Sequence, residues 1–144
     1  MGSSSKYTSI KYKLKQVLAL EPTGDEEVTP DCWAVGFGNS FNDSERCIAA
    51  GYDNGDLKLF DLRKNELVWD HNLDNGVCGL EFDRKDIKMN KLVVTTLEGN
   101  LHVFDMRTYH IEQGYTGLKE KTKGTSTICG VSCLIKIGQA SPSK

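Results

Sequence analysis

A chain of 144 residues with 38% hydrophobic and 26% charged side chains has room for one ordinary domain and the balance of a globular protein. Its 18 basic residues nearly cancel its 20 acidic ones, and a net charge of −2 gives no field able to hold a phosphate backbone, so no nucleic-acid partner is expected. No run approaches the ~18 apolar residues of a spanning helix, so no membrane partner is expected either.

Residues 1–16 carry no strand pattern and read as an N-terminal tail. Met1–Lys6 lacks the apolar stretch of a secretory signal, and Lys6 stands where an acylation signal wants Ser or Thr. Residues 17–31 read as a strand followed by an acidic linker, Asp25-Glu26-Glu27 between Pro22 and Pro30. Four strands are then predicted at 32–37, 46–52, 57–61 and 66–70, rich in β-branched and aromatic residues. Asn54-Gly55 between the second and third is a strong hairpin signal, and a type I′ turn there requires positive φ at both residues. After a corner at Asp74-Asn75-Gly76, four more strands follow at 77–82, 91–96, 101–105 and 109–116, with Glu98-Gly99 as the weaker counterpart of the hairpin. Residues 119–144 read as a linker, a partial strand over 128–133 and a divergent tail. The lysine clusters at 6, 11, 13, 15 and at 119, 121, 123 read as solvated tails or loops.

These elements repeat. Ile48–Arg63 recurs without a gap as Leu92–Arg107, an offset of 92 − 48 = 44, and Cys32–Phe37 recurs as Val77–Phe82 at 77 − 32 = 45. A third copy begins at Ile128–Cys133. A period near 40–45 residues that carries strand–turn–strand and closes on an aromatic-Asp pair marks a propeller blade. Leu92–Thr96 does not alternate apolar with polar, as expected of strands covered on both faces. The expected class is therefore all-β, a β-propeller fragment with two complete four-stranded blades, 32–73 and 74–118, plus the start of a third. A seven-stranded sandwich is the rival architecture, which the constant period disfavours.

Five cysteines, at 32, 47, 78, 129 and 133, form an odd set with no metal-knuckle spacing and no histidine beside the close pair. They read as buried free thiols in a reducing compartment, with the cytoplasm as the expected location. No nucleophile, base or paired carboxylate stands at a catalytic spacing, and Gly36-Phe37-Gly38 lacks the helix of a phosphate loop. No enzyme activity, metal or cofactor is expected.

Protein binding remains, and six residues are candidates for it. Trp33 is aligned with Cys78 and Cys129, so it is either a binding anchor near the central channel or, the stronger reading for a large aromatic, packing against the adjacent blade. Tyr52 sits at a hairpin tip. Asp61 with Arg63, and Asp105 with Arg107, repeat an aromatic-Asp-x-Arg motif whose bland reading is a local charge pair.

The repeat resembles WD-repeat proteins, with Phe60-Asp61 and Phe104-Asp105 in place of the closing Trp-Asp. The usual Gly-His before each blade is missing, and only Asp53 keeps the customary turn acid. Longer strings, among them Asp31–Asn39, Ala50–Arg63, Asn75–Ile87 and His102–Arg107, resemble a WD-repeat family of cytoplasmic factors that preassemble axonemal dynein arms. The resemblance runs over roughly 17–131. It implies dynein heavy chains and a prefoldin-like co-chaperone complex as partners, and a link to apoptosis. The aromatic-Asp-x-Arg motif also resembles the one by which WD-repeat substrate receptors dock on cullin-type ubiquitin ligases, with the Arg making the contact. Propellers close with about four to eight blades, so a chain of this kind is expected to be part of a longer ring.

Overall fold

The structure is a computed structural model that describes residues 29–121. The described residues are all-β. Eight strands run β1 (Cys32–Gly38), β2 (Cys47–Tyr52), β3 (Asp56–Asp61), β4 (Glu66–Asn72), β5 (Val77–Phe82), β6 (Lys91–Thr96), β7 (Asn100–His110) and β8 (Gly114–Lys121). They form two four-stranded antiparallel meanders, β1-β2-β3-β4 and β5-β6-β7-β8, as two blades of a propeller do. The tail and linker expected before residue 29 and the partial third strand at 128–133, with Cys129 and Cys133, lie outside the described residues.

Cross-strand register shows why the 44-residue period works. Cys47 pairs with Asp61 and Ile48 with Phe60 in the first sheet; Lys91 pairs with Asp105 and Leu92 with Phe104 in the second. The period fails at the outer strands. Trp69 pairs with Leu59 and Leu118 with Val103, so the offset there is 118 − 69 = 49. The additional residues bulge between Asp105 and Tyr109, and they lengthen the β7–β8 hairpin. The fourth strand expected at 109–116 is therefore displaced: 109 and 110 end β7, and β8 begins at Gly114. Lys119 and Lys121, expected in a loop, lie exposed on β8.

The hairpin tips also differ from expectation. Gly55 has φ +93° and Gly99 φ +78°, but neither Asn54 nor Glu98 is left-handed. The Gly55 N–H donates to Tyr52 O and the Gly99 N–H to Thr96 O, which makes each tip a longer loop with one left-handed glycine rather than a type I′ turn.

The core lies between the two sheets. Cys47, Ala49, Leu57, Leu59 and Trp69 of the first meet Val77, Leu80, Phe82, Leu92, Val94 and Phe104 of the second. β1 and β2 contribute small residues where the sheets come closest. A Cβ on Gly36 would lie 2.8 Å from Leu80 Cδ1, and one on Gly51 would collide with Val77. Toward the outside the gap widens and Trp69 fills it, with its ring edge-on to Phe104 at 5.1 Å and to Tyr115 at 5.0 Å. Polar bonds fasten one rim of this seam. Buried Asn39 accepts from the Met89 N–H at 2.7 Å and donates to Glu45 O, and Ser40 Oγ donates to Lys85 O.

Candidate protein-interaction surface

Both aromatic-Asp-x-Arg segments lie on one rim, because Asp61 and Asp105 each pair with the first residue of the preceding strand. The loops 39–46 and 83–90 border the same rim. The two copies are built differently. Asp61 Oδ1 accepts from the backbone N–H of Arg63 at 2.8 Å and of Lys64 at 3.2 Å, which caps the β3–β4 turn. Those bonds, first the one from Lys64, hold its carboxyl below the usual carboxylate range. Asp105 accepts from the Arg107 backbone at 3.0 Å and is also clasped by Arg107 Nε at 3.0 Å and Nη2 at 2.9 Å. The guanidinium bonds are the main reason its pKa falls to about 2. Arg63, by contrast, makes no ion pair with Asp61.

Tyr52 and Trp33 lie at the opposite end. Tyr52, expected to be reachable at a hairpin tip, is buried with Ala50 and Phe60, packed by Ile48. Beside it Asp53 and Asp31 exchange bonds: the Asp53 N–H donates to Asp31 O, and the Asp31 N–H to Asp53 Oδ1. Trp33, for which packing was the stronger reading, is 51% exposed. It sits in the register shift between Cys32 and Ala34. Val35 at 59% and Phe37 at 47% extend the same apolar face.

The repeat explains that exposure. Val35 and Phe37 occupy the positions of Leu80 and Phe82 (80 − 35 = 82 − 37 = 45), which are buried because the first sheet lies over them. Sequence reasoning passed over Val35 and Phe37, although the 45-residue alignment carried the signal. Of the described thiols one matches the expected burial and two depart from it. Cys47 is buried, and desolvation pushes its pKa up to about 11, whereas Cys32 and Cys78 are exposed. Among the described residues no cluster of three or more His, Cys, Asp or Glu is placed to hold a metal, and no helix is long and apolar enough to cross a membrane.

No protein-family profile matches the chain. Curated relatives do. The chain is similar to dynein axonemal assembly factor 10. It is 55% identical over 118 residues to that protein of Chlamydomonas reinhardtii, which is 82% of this chain and 33% of the relative. Identity is 61% over 102 residues with the Danio rerio protein, 71% of this chain and 28% of the relative. With the human protein it is 59% over 105 residues, 73% and 29%. The chain thus spans about a third of the length of the relatives it matches.

Proposed function

We propose that this chain is a protein-interaction scaffold in the assembly of axonemal dynein, working without catalysis in the cytoplasm. Identity of 55–61% over a stretch longer than both sheets together carries the reading, because the relatives are named for that assembly. The surface supports it: the meanders present loops on two rims, and β1 leaves Trp33, Val35 and Phe37 open for contact. In this reading the chain holds a client, the dynein heavy chains, together with prefoldin-like co-chaperone subunits. Tagged chain expressed in ciliated cells should co-purify with dynein heavy chains and with prefoldin-like subunits. Clean absence of both would overturn the proposal.

A second reading, docking of a cullin-type ubiquitin ligase adaptor, is favoured by one observation. Arg63 is not clasped by its aspartate, so its guanidinium is available where that of Arg107 is engaged. It predicts that Arg63→Ala abolishes adaptor pull-down and that Arg107→Ala weakens it less. Equal recovery with all three proteins would exclude it.

A further inference from the structure

The β7–β8 hairpin is longer than its counterpart in the first sheet. β3 and β4 turn between Asp61 and Glu66, whereas β7 continues past Asp105 to His110 and the chain returns at Gly114. A four-stranded meander forms without that extension, as the first sheet demonstrates. The extension is nevertheless tied to the seam. Gly114, at φ +69°, lies so close to Trp69 that a Cβ there would be 2.4 Å from its Nε1. Tyr115 meets the Trp69 ring edge-on, and Tyr109 meets Tyr115 edge-on at 5.1 Å.

Between the tip of this hairpin and β4 lies a cleft of about 250 Å³. Val68, Tyr109 and Ile111 line it, and all three are exposed, Ile111 at 87%. None of them belongs to the core between the sheets. One exposed apolar side chain is ordinary on a protein surface, but three on one concavity mark an interaction site. The charges of the cleft are of one sign. Asp70 of β4 and Glu112 of the hairpin line it, both exposed, and no lysine or arginine does. Neither carboxylate enters an ion pair among the described residues. The Glu112 N–H is engaged, donating to His110 Nδ1 at 3.3 Å, and the His71 ring is stacked on Trp69.

We propose that this cleft docks a partner segment carrying an aliphatic side chain next to a lysine or arginine. The aliphatic group lies against Val68, Tyr109 and Ile111, and the cation reaches Asp70 and Glu112. In such a contact the apolar groups supply most of the affinity, while the exposed acids steer the partner and reject acidic segments. The inference does not rest on the dynein-assembly reading, and it uses neither of the Asp-x-Arg motifs.

The test is a titration of the full 144-residue chain, labelled with ¹⁵N, by a blocked tetrapeptide of alternating leucine and arginine. The amides of Tyr109, Ile111 and Gln113 are followed by NMR. Two control tetrapeptides replace arginine by glutamate or leucine by glycine. Saturable shifts with the leucine–arginine peptide are expected, with binding of either control weaker by about fivefold or more. Ile111→Ser, and separately Asp70→Asn combined with Glu112→Gln, should each weaken binding by about fivefold or more. Leu97→Ser, at an exposed apolar site outside the cleft, should leave it unchanged. Ile111 makes so little contact with the fold that its variant keeps the test valid if the double variant does not fold. Equal binding of either control peptide, or full binding by Ile111→Ser, would overturn the assignment. Shifts at these amides that grow with chain concentration in the absence of peptide would assign the cleft to a second copy and overturn it as well.

Discussion

The two sheets begin from nearly the same sequence and end with different work to do. In the first, Trp69 on the outer strand fills the seam; in the second, Leu118 holds the matching register position and is 72% exposed. In the first, Val35 and Phe37 are open; in the second, Leu80 and Phe82 are enclosed. A repeat therefore conserves backbone register, while burial depends on which neighbour is present. Local pattern sets the strand, and context decides what its faces meet.

The sharpest way to break this comparison is at the paired outer positions. Trp69→Ala should destabilise the chain by about 3–5 kcal/mol, as removal of a buried aromatic does. Leu118→Ala should stay within about 0.5 kcal/mol, as exposed sites do. Chemical denaturation of both variants measures the contrast, and equal effects would mean that Trp69 does not join the sheets.

Overpacking the close approach comes next. Gly36→Val improves strand propensity yet forces side-chain atoms into Leu80, and should cost about 1–3 kcal/mol in the same assay. A neutral result would show that the sheets can separate there freely.

A smaller effect distinguishes the two Phe-Asp segments. The depressed pKa of Asp105 makes its ionised form the favoured one in the fold. Its contribution to stability is present above the unfolded pKa near 3.9 and is lost as pH falls through about 2. Asp61 shares the direction, from backbone bonds instead of a guanidinium. Carboxyl titration by NMR should place Asp105 near 2, and Arg107→Ala should raise it while leaving Asp61 unmoved. The smallest effect is kinetic. Exposed Cys32 and Cys78 should react with a thiol reagent well before Cys47, as peptide mapping of the labelled sites would show.

Strand order and the inner three strands of each sheet were readable because β-branched and aromatic runs, turn residues and a constant offset all coincide from Cys32 to Asp61 and from Val77 to Asp105. The outer hairpin was not. Its bulge interrupts the period, and the Asp105–Arg107 clasp with the Thr108 Oγ bond to Asp105 O is a three-dimensional reason for it. Tyr52 was misjudged, since at the end of its strand it turns into the packing with Ala50 and Phe60, while Trp33 stands with Val35 and Phe37 on the face that no described sheet covers. The ring cluster of His71, His102 and Phe104 leaves no linear signature, since it draws its members from both sheets.

The glycines at the seam also impose an order of assembly. Where the first sheet has Gly36 and Cys47 facing its neighbour, the second has Glu81 and Lys91 at the corresponding positions (81 − 36 = 45, 91 − 47 = 44). Duplicating the second sheet in tandem would set the copy's Leu80 against the Glu81 side chain, where Gly36 now leaves it room, so the units are addressed rather than interchangeable. An engineer extending this array would have to supply a next unit designed for that charged back, and shuffling the existing ones would not make a ring.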